Sequence, residues 1–111
     1  MPKYLVAIHH SIDFDRSNEG PEVMKDIDDL NDEMEAAGVR QLAMGLKGPD
    51  FARSLRSADT GIQETAGLYL GGPEYVGGFW ILNCANIDEA VGWGRKAVVA
   101  CRANVEVREF H

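Results

Sequence analysis

The pair His9-His10, followed by Asp13 and Asp15, is the chain's most evident candidate for acid–base chemistry. An imidazole oriented by a carboxylate can serve as a general base near neutral pH. Neighbours on a strand point to opposite faces, so only one of the two histidines can look into a given pocket. A metal corner built from both would need a bend in the strand. Partial exposure at the end of a strand is the stronger reading for the pair, because the spacing matches no specific catalytic or metal-binding signature.

Other side chains compete for a role. Trp80 offers an aromatic face for a flat apolar ligand and an indole N–H for one polar group, although core or interface packing is the commoner use of such a residue. Arg53, Arg56 and Arg102 carry guanidinium forks that suit a carboxylate, against the simpler expectation of surface solvation or ion pairing. Asn31 and Glu33 fall on the rim of a buried helical stripe, and Glu33 becomes a pocket acid only if it turns inward. Gly71-Gly72-Pro73 and Gly77-Gly78 are read as turn glycines, since no helix follows directly to present amides to a phosphate and no Lys-Ser/Thr follows. Cys101 occupies a helical core position, where a thiol is usually inert.

These residues need elements to hold them. Tyr4 to Ile8 is a continuous β-branched and apolar run, the pattern of a strand covered on both faces. His9 to Gly20 is polar and turn-rich, and Pro21 then supplies the fixed φ of a first helical position. Val23, Ile27, Leu30, Met34 and Ala37 recur at steps of four and three, with Asp and Glu on the outer arc, which predicts an amphipathic helix closed by Gly38. Gln41 to Leu46 and Phe51 to Ser57, split by Gly48-Pro49, suggest a bent or broken second strand. Gln63 to Leu70 and Gly78 to Leu82 are expected to pair as an antiparallel hairpin. Asn86-Ile87-Asp88-Glu89 carries a capping box that opens a second helix, Ile87 to Cys101, with small residues Ala90, Gly94, Ala97 and Cys101 inward. Val105 to Arg108 alternates as the last strand.

The order is β-α-β-β-α-β, the split βαβ pattern of an α+β, ferredoxin-like domain with an antiparallel sheet and two helices on one face. Two helices cover one face only. Strands at Tyr4–Ile8 and Phe79–Leu82 are apolar on both, so a twofold partner presenting the same sheet is the expected cover, and the chain is expected to be a homodimer.

Bulk properties narrow the function classes. With 111 residues the chain, 1–111, has room for a single domain and core. The formal charge is −7, and the 11 basic residues are scattered rather than gathered in a stripe, which argues against a nucleic-acid partner. No apolar run is long enough for a signal sequence or membrane span, so a cytoplasmic location and no membrane partner are expected. The two cysteines, Cys84 and Cys101, lack CxxC or zinc-like spacing and read as buried reduced thiols.

Several stretches considered together, Lys3-Tyr4-Leu5-Val6, Glu35-Ala36-Ala37-Gly38-Val39, Gly45-Leu46, Gly72-Pro73, Glu74 to Trp80, Asp88-Glu89-Ala90 and Val105-Glu106-Val107-Arg108, resemble the DGPF family of YCII-related proteins over nearly the whole chain. The resemblance implies a dimeric α+β barrel, in the broad group that also holds EthD-like, muconolactone-isomerase-like and antibiotic-monooxygenase-like domains. It implies no single activity. This chain departs from the family pattern in two places. The acidic residue of Asp-Gly-Pro is replaced by Gly71, and Glu74 follows Pro73 at once where the family usually carries several more residues. The related YCII branch resembles enzymes with a His-Asp pair, whose places here fall near Ile27 and Ala97, so that dyad is absent.

The leading expectation is a dimer that binds or processes a small metabolite in a pocket between sheet and helices, lined by Trp80, Glu33, Arg56 and Arg102, with His9, His10 and Asp13 as candidate catalytic groups and no cofactor or metal. The alternative is a non-catalytic regulatory protein acting through a partner such as a sigma factor. A cofactor-free monooxygenase or isomerase activity rests on fold analogy alone.

Overall fold

The computed structural model describes residues 1–111. Strand β1 (Lys3–Ser11) leads through a 3₁₀ turn at Arg16–Asn18 into helix α1 (Pro21–Ala36) and strand β2 (Arg40–Gly45). A second 3₁₀ turn at Pro49–Phe51 precedes β3 (Arg53–Ala58) and β4 (Gly61–Ala66); β5 (Glu74–Asn83), helix α2 (Ile87–Cys101) and β6 (Asn104–Glu109) complete the chain. The four-stranded sheet runs β2-β5-β1-β6 with every neighbour antiparallel, an arrangement compatible with a ferredoxin-like fold.

Cross-strand partners share a face, so the register sorts the side chains. Tyr4 pairs with Leu82, Val6 with Trp80 and Val107, and Ile8 with Val105. All of these join the core formed with Leu30 and Met34 of α1 and Ala90 and Ala97 of α2. Both helices therefore lie on this face. Gly94 brings α2 close to it, because a Cβ there would stand 2.8 Å from Val107 Cγ2. The helix ends follow the sequence signals. The Asn86 side chain accepts from the Glu89 amide at 2.9 Å while Glu89 accepts from the Ala85 amide, and Gly38 takes φ +73 just past α1.

The opposite face carries Leu5, Ala7, Leu42, Met44, Phe79 and Ile81 by the same register. Ala7 is buried yet lies outside the core cluster, between Phe79 of β5 and Glu106 of β6 in the register. No element of the chain is laid over this face in the strand and helix packing, and Leu42 and Met44 remain exposed.

The expected hairpin between Gln63–Leu70 and Gly78–Leu82 does not form. β4 pairs with β3 instead, through a tight turn that brings Ala58 opposite Gly61, and β5 is the partner of β1 and β2. The chain is cut at Gly67, which adopts φ +96 and donates its N–H to Ala52 O. A left-handed residue ends the extended run there, so Tyr69 and Leu70 never join a strand. Gly77 and Gly78 are likewise not turn glycines. They sit inside β5, where the register against β1 shifts at Ile8/His9.

Candidate functional site

A cleft of about 230 Å³ opens between α1 and the helix-facing side of the sheet. Ile8, Met24, Ile27, Ala43, Trp80 and Cys101 give it apolar walls, and His10, Arg16, Glu19 and Asn31 contribute polar groups. Two elements set this composition. The β1 alternation turns Ile8 and His10 inward, and the 3₁₀ turn, capped by Asp15 on the Ser17 amide, folds Arg16 and Glu19 back beside the strand end.

His10 is the central polar side chain. Its ring stacks on Phe14 with centroids 3.9 Å apart and planes within 6°, and Tyr75 tilts against it at 6.1 Å. Gly77 makes this possible, because a Cβ there would stand 2.1 Å from His10 Cδ2. Burial lowers the imidazole pKa below its usual 6.5; Glu19 opposes that shift and Arg16 adds to it. His10 is therefore neutral at pH 7 and presents a basic ring nitrogen in an apolar setting.

Asn31 and Trp80 form the second fixed polar feature. The Trp80 indole donates to Asn31 Oδ1 at 2.8 Å, Arg40 donates to the same oxygen at 3.4 Å, and Asn31 Nδ2 donates to Ile27 O at 3.2 Å. The indole N–H is thus satisfied by the protein, and Trp80 offers a ligand its ring rather than a donor. The ring is 4 % exposed, which makes it mainly a core residue with one edge at the cleft.

Of the residues singled out from sequence, the fold brings together His10, Trp80 and Asn31 at one cleft, with Cys101, Gly77 and Gly78 in its wall, and it places the other candidates elsewhere. His9 points to the uncovered sheet face beside Val76 and Asn104, and its Nε2 is buried without a hydrogen-bond partner. Asp13 lies exposed in the turn, its amide donating to Ser11 Oγ, and does not orient an imidazole. Asp15 serves Ser17 instead. Glu33 does not turn inward; it pairs with Lys96 across the α1–α2 seam. Arg56 lies on the β3–β4 hairpin, donating to Thr65 Oγ1 and Tyr69 O with its guanidinium 4.4 Å from the Tyr69 ring. Arg53 on the same hairpin pairs with Glu64 at 3.2 Å. Arg102 ends α2 in the left-handed region, φ 50, and its fork is taken up by Asp26 and Ala100 O, both at 2.8 Å.

Arg16 and Glu19 were hidden because they fall in a segment without periodicity. The only sequence signal for their return to the strand end is the Asp15-x-Ser17 pair, which builds the capping turn. Ile27, at the place of the absent dyad histidine, lines the cleft, and Ala97 is buried in the core. Cys101 reaches the cleft wall, but burial pushes its thiol up to about 11, so it is not an activated nucleophile. Cys84 is also a buried free thiol. No group of three or more His, Cys, Asp or Glu side chains is placed to hold a metal ion. No helix is long and apolar enough to cross a membrane.

A wider groove of about 590 Å³ follows the α1–α2 seam. Its Glu33 and Lys96 neutralise each other, and Asp26 is occupied by Arg102, so it offers less unspent chemistry than the smaller cleft. No protein-family model matches the chain, and no curated protein matches it in sequence.

Proposed function

We propose that the chain is a DGPF-like, YCII-related protein that works as a homodimer of the α+β barrel type and binds or processes a small metabolite in the cleft between α1 and the sheet. The observation that carries this reading is the convergence of a neutral, buried His10 with Arg16, Glu19 and the Asn31–Trp80 pair on one apolar cavity. The apolar walls favour a small, largely flat molecule. Arg16 has no carboxylate partner within ion-pair distance and lies exposed at the cleft, so it suits an anionic group on that molecule, with His10 as the group able to take or return a proton.

The uncovered face supports the dimer. On an acidic molecule of net charge −7, α1 presents Asp and Glu outward and would repel a second copy. The sheet face is apolar at its centre, with Leu5, Leu42, Met44, Phe79 and Ile81, and its β6 edge carries Glu106 and Arg108, which offset each other at 3.9 Å.

A thermal-shift screen against small aromatic carboxylates and their uncharged analogues, run beside native mass determination, tests both halves. The expected result is a dimer whose melting temperature rises by several degrees with a carboxylate, a response weakened by Arg16→Gln and by His10→Gln. A protein that responds to none of the compounds, or equally in the wild type and both variants, removes the cleft as the functional site. A monomeric mass across the micromolar range removes the dimer.

A further inference from the structure

The cleft between α1 and the sheet is one of two chambers that meet at His10. The second, of about 300 Å³, is walled by Phe14, Leu46, Pro49 and Tyr75, on the side of the imidazole where Phe14 stacks. His10, Arg16 and Gly77 line both chambers and so form the boundary between them. Small-molecule sites usually span about 300–1,000 Å³; each chamber alone is at or below the bottom of that range, and the pair falls within it. Backbone geometry keeps the boundary thin. Gly77 is the extra residue of the β5 bulge, passed over where the register steps from Ile8–Gly78 to His9–Val76. A Cβ there would stand 2.1 Å from His10 Cδ2, so the boundary carries only the side chains of His10 and Arg16.

Charge is distributed unevenly over the two spaces. Each chamber holds one carboxylate, Glu19 in the first and Asp15 in the second. Asp15 accepts from the Ser17 amide at 3.0 Å and hydroxyl at 2.7 Å, and these bonds hold its carboxyl below the usual range, so it stays charged. An anion deep in either chamber therefore meets a like charge. Arg16 is the one Lys or Arg in either lining; it stands at the boundary and makes no ion pair with Asp or Glu. A negative group is thus favoured at the junction and disfavoured at both ends.

We propose that the two chambers form one bipartite site for a monoanion whose charged group lies between two uncharged apolar arms, with the anion on Arg16 and one arm in each chamber. This rests on the reading of the first chamber as the ligand cleft and adds to it a second subsite and the shape of the ligand class. A single-ring acid covers the walls of one chamber only. A second ring on the carbon that bears the carboxylate buries further apolar surface against Phe14, Leu46 and Tyr75 without bringing a second charge near Asp15.

Isothermal titration of the full chain with phenylacetate and with diphenylacetate, which carries a second ring on the same carbon, tests this. Leu46→Ser trims the second chamber and Met24→Ser the first. Each of these side chains is 48 % exposed and lines one chamber only, so neither change empties the core. The wild type is expected to bind diphenylacetate about tenfold more tightly than phenylacetate, or better. Leu46→Ser should bring the two affinities within about threefold of each other, and Met24→Ser should weaken both acids while keeping the preference, with all three proteins melting cooperatively. Equal wild-type affinities overturn the second subsite and leave the cleft reading standing. A preference that survives Leu46→Ser does the same, since the second ring would then bind elsewhere, and so does an equal loss of preference in Met24→Ser. A wild type that takes up neither acid at millimolar concentration overturns the bipartite site and the cleft reading together.

Discussion

His10 owes its chemistry to neighbours that a one-dimensional reading does not place: Phe14 stacked on its ring, Gly77 leaving room beside it, and the opposing charges of Arg16 and Glu19 in the same cleft. Its folded-state pKa lies below the ordinary 6.5 that an unfolded chain would show. The unfolded chain therefore takes up the proton first on acidification, and the stability tied to neutral His10 is full above about pH 6.5 and is lost as the pH falls from there through the lower folded value. Melting temperatures between pH 7.5 and 5 should drop in the wild type and drop less in His10→Phe; parallel curves would contradict this assignment. Gly77→Ala should cost about 1–3 kcal/mol in chemical denaturation, because the new methyl must drive the stacked imidazole from its place. Cys101, with its thiol raised to about 11, should resist alkylation at pH 8 in the folded protein and react only on unfolding.

At the scale of elements, the two glycines of α2 separate propensity from packing. Gly92 has open space where its Cβ would be, so Gly92→Ala should stabilise the protein by about 1 kcal/mol through helix propensity. Gly94 has the same intrinsic penalty, but its Cβ would meet Val107 at 2.8 Å. Overpacking of about 1–3 kcal/mol outweighs the propensity gain there, and Gly94→Ala should be destabilising. Opposite signs in urea titrations of the two variants are the expected outcome, and like signs would mean that α2 does not lie on β6 as described. Helix ends were readable for a related reason: capping by Asn86 and the left-handed Gly38 are local devices, set by residues three or four apart. Strand pairing was not. Gln63–Leu70 had a strand-like composition on both sides of Gly67, and choosing β3 over β5 as its partner depends on a backbone φ and on the bond from Gly67 to Ala52 O, neither of which periodicity encodes.

For the whole molecule, association and charge are linked. Two copies of net charge −7 repel at long range, so added salt should tighten the proposed dimer. Sedimentation in about 20 and 200 mM NaCl checks this, as a Debye length near 20 Å shrinks to under 10 Å over that range; a dimer that weakens with salt would instead be held by ion pairs. The residue types alone determined the α+β class, both long helices with their caps, and a sheet too apolar for two helices to cover, because these follow from local periodicity and from counting faces. The tertiary structure decided which side chains meet. It chose His10 over His9 for the cleft, spent Glu33, Arg56 and Arg102 on partners elsewhere, and brought Arg16 and Glu19 to the cleft. Such meetings depend on chain segments far apart in sequence, whose approach is fixed by packing and by backbone conformation at a few glycines rather than by any local pattern.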